Sequence, residues 1–353
     1  MHERSFDASS RLLDQVKAAL ASGTCLDIRG GQSKAWLGRA VTGQILDTRS
    51  HQGIVNYDPT ELIVTARAGT SLQALEAALA EHGQCLPCEP PHYGPGATVG
   101  GMVAVGLSGP RRPWAGSVRD FVLGTRVITG EAKHLRFGAE VMKNVAGYDV
   151  SRLMAGSFGC LGLITEVSLK VLPKPRAVAN LRLDVDLPGA MQHLAEWGLQ
   201  PLPISAACHD GSALHLRLEG GAGSVHAARD RLGCETVEPG FWEDLKEHRL
   251  AFFADPRPLW RLSVPAVAVP LDLPGEQLVD WGGAQRWLKS DAEPELIRRV
   301  VTCHLFLRRR FAFPSPARRI AALPPSAQEP ARPAGPLQPR PPVQGALRSC
   351  RPI

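Results

Sequence analysis

Hydrophobic positions along the first 170 residues switch between helical and extended periods. From Ser10 to Ala21, Leu13, Val16 and Leu20 share one face of a helix that stops at Gly23, and Cys25-Leu26-Asp27-Ile28 reads as a short buried strand. Leu62-Ile63-Val64-Thr65-Ala66 predicts a second strand. After it, Thr70 and Gln73 fit a capping box, and Leu72, Leu75 and Leu79 form the buried stripe of a helix ending at Gly83. Phe121 to Thr129 reads as a further strand. Strict alternation at Leu163, Thr165, Val167, Leu169 and Val171 predicts a half-buried one, closed by Pro173 and Pro175.

Beyond the Pro-Lys-Pro segment the rhythm changes. Leu181, Leu183 and Val185 alternate as a strand, Met191 to Trp197 reads as a helix, and Val225, Ala228 and Leu232 form another helical stripe. Between the two helices, Ile204 to Cys208 and Leu214, Leu216 and Leu218 flank the turn Asp210-Gly211 as a hairpin. Strand, helix, hairpin, helix predicts a split βαβ, ferredoxin-like module. The expected organisation is a first domain over 1–175, a second over 176–300, and a tail over 301–353. The tail holds eleven of the thirty prolines and no periodic segment, so disorder is expected there.

Composition narrows the class. A chain of 353 residues, 44% hydrophobic and 21% charged, has material for two packed domains and is not disordered as a whole. No apolar run approaches the roughly 18 residues of a bilayer span, and Met1 to Asp14 lacks the layout of a signal peptide. The expectation is a cytoplasmic protein without direct membrane insertion, reaching the inner face of the membrane only through partners. Eight scattered cysteines form no disulfide framework and read as reduced thiols. The formal charge of +6 does not point to nucleic acid: residues 301–353 carry nine Arg, one Glu and no Lys or Asp, leaving about −2 for residues 1–300.

Two glycine-rich segments carry candidate chemistry. Arg29-Gly30-Gly31-Gln32-Ser33-Lys34 follows the first strand; it is either an ordinary turn or a loop whose amides approach an anion, with Ser33 and Lys34 as added donors. It fits neither a phosphate-loop nor a Rossmann spacing. Ala97-Thr98-Val99-Gly100-Gly101-Met102-Val103-Ala104, Gly106-Leu107-Ser108-Gly109 and Gly116-Ser117-Val118-Arg119-Asp120-Phe121-Val122-Leu123-Gly124 follow. Glycine costs a regular element about 1 kcal/mol, and two causes offset such a cost: backbone passing close to a flat ring and a diphosphate, or tight loops packed on a sheet.

These segments, with Lys143-Asn144-Val145-Ala146-Gly147-Tyr148-Asp149 and Gly156-Ser157-Phe158-Gly159-Cys160-Leu161-Gly162-Leu163-Ile164-Thr165, occur in the order of the vanillyl-alcohol-oxidase-type (PCMH-type) FAD-binding family, which the chain resembles. Leu86-Pro87-Cys88-Glu89-Pro90-Pro91-His92-Tyr93, Gly109-Pro110-Arg111-Arg112-Pro113-Trp114 and Leu273 to Gly283 make it similar to the smaller flavin subunits of bacterial glycolate oxidases (glycolate dehydrogenases). The resemblance covers about residues 5 to 300. It implies an α+β protein: a PCMH-type FAD-binding domain of two α/β subdomains, plus a small ferredoxin-like cap.

It further implies that Arg29 to Lys34 and the turn Thr98-Val99-Gly100-Gly101 take the pyrophosphate, with Ala97 a further FAD contact. Ser108, Ser117, Asp120 and Val122 would line the flavin and ribityl side, and Gly159, Gly162 and Ile164 the adenosine side. Pro91, Ala104, Gly106, Gly109, Gly116 and Gly124 complete the expected FAD contacts. Some members attach flavin through His or Cys; Gln32 and Ser33 stand in the first loop here, so the FAD is expected to be non-covalent.

Oxidising glycolate to glyoxylate requires a base, a cation for the carboxylate, and a flavin to receive hydride. Arg111 and Arg112 are candidates for the cation, or else pair with acidic groups or a partner subunit. His92 and Tyr93 are candidates near the flavin, or else structural loop residues. Cys85 and Cys88 have the spacing of half a zinc site, yet no second pair follows, and no metal is expected. Nothing between Arg176 and Arg299 resembles the His-rich cap motif of related 2-hydroxy-acid dehydrogenases.

The resemblance thus implies a complex with a larger FAD-containing catalytic subunit and an iron–sulphur subunit, acting in glyoxylate metabolism. Two alternatives stay open, a flavin-holding assembly subunit without its own substrate oxidation and an independent FAD-dependent 2-hydroxy-acid oxidase. The resembling subunits end near a Phe-Asn-Pro-Gly-Arg motif. Here Pro336-Leu337-Gln338-Pro339-Arg340-Pro341 stands instead, and a shifted reading frame of a possible coding sequence yields that motif, so 301–353 is expected to be a frameshift product.

Overall fold

The computed structural model describes residues 5–38, 41–138 and 148–300, and the backbone of the strand Cys303–Leu305. Lys143 to Gly147 of the fourth family motif and the expected disordered, frame-shifted tail lie outside the described residues.

The first helix, Ser9–Ser22, ends where Gly23 turns left-handed (φ 66°) and its amide reaches back to the last turn. Its buried face is Leu12, Val16 and Ala19, with Leu20 56% exposed, so the stripe is rotated from the expected one. The strand Leu26–Arg29 follows and pairs in parallel with Gln44–Asp47. Leu12, Val16, Leu26 and Leu46 join Ile128 and Leu163 in one core, tying this layer to the next sheet.

That sheet is antiparallel, in the order Ile54–Asp58, Ile63–Arg67, Leu163–Lys170, Val122–Ile128, His134–Gly138. The strand Leu163–Lys170 was expected to be half-buried but is buried at all but its last residue. It runs down the middle of the sheet, and its polar face is satisfied internally: Thr165 by His134, Ser168 by Thr65, Glu166 by Arg126. The helix Leu72–Glu81 buries Leu72, Leu75 and Leu79 as expected. Its cap is Ser71, whose hydroxyl accepts from the Ala74 amide, and not Thr70. Thr70 is buried, its Oγ1 bonded to the amide and carbonyl of Gly53, which takes it out of a capping box.

The remaining unit is an eight-stranded antiparallel sheet. Ala177–Leu183, Leu187–Gly198, Ile204–His209, Leu214–Gly220, Ala222–Leu232 and Glu235–Thr236 follow as strand, helix, two strands, helix, strand. Their sheet order is Glu235–Thr236, Ala177–Leu183, Leu214–Gly220, Ile204–His209, which is the ferredoxin-like arrangement. Glu276–Asp280, Gln285–Lys289, Leu259–Ser263 and Cys303–Leu305 extend it. The two halves meet through one backbone pairing, His209 opposite Val279. No helix among the described residues is long and apolar enough to cross a membrane.

Charged groups join the two units. The Glu247 carboxylate accepts the amides of His92 (2.8 Å) and Tyr93 (2.7 Å). Arg111 bonds Glu219, Arg217 pairs with Glu89 at 2.8 Å, and the Trp281 indole donates to the Gly109 carbonyl at 3.0 Å. A buried set of two arginines and two glutamates is weak evidence of net stability, but losing one partner strands the others.

Candidate functional site

A cleft of about 360 Å³ opens between the first strand and the glycine-rich segments, within the usual range for a bound small molecule. One wall is Arg29 to Lys34; the floor is Thr98, Gly100, Gly101 and Ala104; the far wall is Gly159, Gly162 and Ile164. These thirteen positions were expected from the sequence. The cleft also takes in Asp27, Ile28, Thr48, Ala68, Val105 and Phe158.

Donor supply differs sharply between wall and floor. On the floor, the amides of Val99, Gly100 and Gly101 already donate to Thr70 O, Ala68 O and Thr98 Oγ1. Along the wall, the successive amides of Gly30, Gly31, Gln32, Ser33 and Lys34 find no acceptor among the described residues. Gln32 turns left-handed there (φ 56°), a conformation that turns neighbouring amides toward a common concavity.

The glycines serve two ends. A Cβ on Gly31 would lie 1.2 Å from the Gly96 carbonyl oxygen, and one on Gly109 would lie 2.3 Å from the Glu89 carbonyl oxygen, so these two let loops pack. A Cβ on Gly101 would meet only Thr98 Oγ1, at 3.1 Å, and one on Gly159 only the end of Ile28, at 3.4 Å. At those positions the missing side chain keeps the cleft open. Tight loop packing therefore accounts for Gly31 and Gly109, while Gly101 and Gly159 leave room at the cleft.

Lys34 closes one end. Its ammonium donates to the His92 carbonyl (3.2 Å) and Ser33 Oγ (3.3 Å) and lies 5.6 Å from the Tyr93 ring centre. Burial pushes its pKa down to about 8, with Glu247 acting weakly the other way.

Other expected residues stand elsewhere. Pro91, Ser108 and Gly109 line a separate small cavity at the junction of the two units, of about 20 Å³. Ala97, Val99 and Val122 are core residues. Ser117 and Asp120 form a capping box, the Asp120 carboxylate accepting Ser117 N and Oγ. Gly106, Gly116 and Gly124 border neither space.

Of the catalytic candidates, Arg111 is taken by Glu219 at the junction, so its guanidinium is a structural tie there. His92 stands 3.1 Å from Glu76 Oε2, off the line of a hydrogen bond. Tyr93 is left-handed (φ 52°), and its hydroxyl is 3.1 Å from His248 Nε2. Cys85 faces Arg111, and among the described residues no group of His, Cys, Asp or Glu is arranged to hold a metal ion.

The junction cavity brings together His248, Arg261, Gln285 and Trp287, which the sequence reading did not single out, and Asp280, which it quoted within Leu273 to Gly283 without a role. Asp280 is buried, accepting from Trp281 N (2.7 Å) and Gln285 Nε2 (3.2 Å), and burial pushes its carboxyl up to about 7. Gln285 Oε1 in turn accepts from Arg261 Nε at 2.6 Å. Of the eight left-handed non-glycine residues among the described ones, Gln32 and Phe158 line the cleft, Tyr93 and His248 line the cavity, and Glu89 and Trp281 flank the junction. Such clustering is what functional sites show.

Residues 8–138 match the FAD binding domain family. The chain is 64% identical over 297 residues to glycolate oxidase subunit GlcE of Escherichia coli (strain K12), covering 84% of this chain and 85% of that protein. It is 32% identical over 139 residues to glycolate oxidase subunit GlcD of Bacillus subtilis (strain 168), covering 39% of this chain and 29% of that one. Among solved structures, an alkyldihydroxyacetonephosphate synthase superposes with a TM-score of 0.56 at 18% identity, over 72% of this chain and 57% of that enzyme, a likeness of fold.

Proposed function

The chain belongs to the GlcE family of glycolate oxidase subunits, and from that membership we propose how its own residues serve glycolate oxidation. It is an FAD-binding oxidoreductase subunit acting on a 2-hydroxy acid. When bound, FAD takes up the two electrons removed from the substrate's CH–OH group and passes them on.

The observation that carries the assignment of the site is the row of five amides from Gly30 to Lys34, on the cleft wall, that find no acceptor among the described residues. They are the donors for a pyrophosphate, with the Lys34 ammonium as the adjoining cation. Gly101 and Ala104 form the floor on which the cofactor lies, and Gly159, Gly162 and Ile164 receive its adenosine end. Gln32 and Ser33 offer no nucleophile suited to a covalent flavin link, so the FAD is held non-covalently. The domain division is 1–175 for cofactor binding and 176–300 for the covering unit.

The partners are a larger flavin subunit and an iron–sulphur subunit, and any membrane contact is made through them. The test is an absorbance spectrum of the purified chain, alone and with the larger subunit, before and after glycolate. The reading predicts a yellow protein whose flavin is bleached by glycolate when the larger subunit is present. Bleaching by glycolate alone supports an independent oxidase; a flavin that never reduces in the active complex supports a holding role.

A further inference from the structure

At the junction of the two units, two guanidinium groups lie against one indole, and among the described residues neither pairs with a carboxylate. Arg112, from the helix Arg112–Ala115, and Arg261, from the strand Leu259–Ser263, both lie against the Trp281 indole, their Cζ atoms 4.3 and 5.1 Å from the ring centre. Among the described residues neither makes an ion pair. Arg261 commits its Nε to Gln285 and leaves its two terminal nitrogens without an acceptor. The charge of Arg112 reaches the Asp120 carboxylate only beyond ion-pair distance, and that carboxylate is engaged by Ser117. The Asp280 carboxyl acts on Arg261 without an ion pair between them, and Gln285 bridges the two, donating to Asp280 and accepting from Arg261.

Like charges in one neighbourhood repel each other, and burial is costly for Arg261. Burial lowers the pKa of Arg261; Tyr93 opposes that lowering and the charge of Arg112 adds to it. Asp280, with its carboxyl near 7, supplies only part of a countercharge at neutral pH. The site is short of one anion.

We propose that this junction binds the carboxylate of a small 2-hydroxy acid, with Arg261 as the planar fork and Arg112 as a second cation on the solvent side. A guanidinium matches a carboxylate by two parallel N–H bonds, and the Trp281 indole packs against both cations. The enclosed cavity beside Arg261, of about 20 Å³, has the room of one water molecule. It takes one oxygen of the anion, and the remainder of the ligand lies toward exposed Arg112. A long or branched acid has no space on the cavity side. The proposal rests on the reading of the chain as an FAD-containing glycolate oxidase subunit and deepens it: this chain contacts the substrate itself.

The experiment is calorimetric titration of the FAD-loaded full chain with oxalate, which has no C–H hydrogen to give up as hydride, followed by displacement with glycolate. Expected is saturable oxalate binding that glycolate competes away. Arg261→Met should weaken it by about tenfold or more, the size of a lost charged hydrogen bond, and Arg112→Met by a smaller factor. Flavin content and thermal midpoint check that each variant is folded. If Arg261→Met does not fold, the exposed Arg112→Met decides: unchanged oxalate affinity overturns the site. A yellow wild-type protein that binds no oxalate, or an Arg261→Met protein that binds it as well as wild type, also overturns it and leaves the FAD-subunit reading intact. A colourless wild type defeats that reading instead.

Discussion

Gly101→Ala separates the folding role of the cleft floor from its binding role, because the two effects have opposite signs. Gly101 lies inside the helix Val99–Val105, where alanine is favoured over glycine by roughly 0.5–1 kcal/mol. The added Cβ meets only Thr98 Oγ1, at 3.1 Å, a side-chain atom that gives way by a few tenths of an ångström and returns part of that gain. The apo protein should therefore melt at the same temperature or up to about 3 °C higher. The methyl group points into the cleft, at the floor assigned to the cofactor. A rigid overlap of this kind costs about 1–3 kcal/mol, so FAD affinity measured by fluorescence quenching should fall about tenfold or more. Gly31→Ala, whose Cβ would lie 1.2 Å from a carbonyl oxygen, should instead lose both stability and affinity. A Gly101→Ala protein with unchanged FAD affinity and a normal melt would refute placement of the cofactor on this floor.

Glu247→Ala removes the acceptor for two amides at the junction, so the thermal midpoint should fall by several degrees, following a loss of about 3 kcal/mol; differential scanning fluorimetry reads this directly. For Lys34, the folded pKa of about 8 lies below the ordinary value of 10.5, so the folded apo protein holds fewer protons than the unfolded chain between them and gains stability as pH rises through that window. A bound pyrophosphate restores the charge, so FAD affinity should decline from pH 7.5 to 9.5 with proton uptake on binding, and Lys34→Met should flatten that decline. For Asp280, the folded value of about 7 lies above the ordinary 3.8, so its contribution to stability is full at low pH, falls between about pH 4 and 7, and stays low above. Asp280→Asn should remove that slope from a series of urea unfolding curves, and an unchanged slope would place the titration elsewhere.

Much of the architecture is local and was readable as such. The stripe Leu72, Leu75, Leu79, the hairpin around Asp210-Gly211 and the ferredoxin-like order each follow from short-range periodicity. The face of the first helix was not, because Leu13 and Leu20 are as apolar as Leu12, and only the neighbouring sheet selects Leu12, Val16 and Ala19. The cleft wall was legible because Gly30 and Gly31 announce exposed backbone. The Arg261–Gln285–Asp280 chain was not, since it exists only once strand register sets Asp280 opposite Gln285 and Ser263 on the other side. Single polar residues in three separate strands carry no sequence sign of that meeting.

The single pairing between His209 and Val279 has a consequence for the order in which the chain is made. Residues 177–236 contain every strand of the ferredoxin-like half, so that half is able to close as soon as it emerges from the ribosome. The other half waits for Cys303–Leu305, without which Leu259–Ser263 presents a bare edge to any passing strand. A lesion close after residue 300 would thus leave the nascent protein half finished and sticky on one side only.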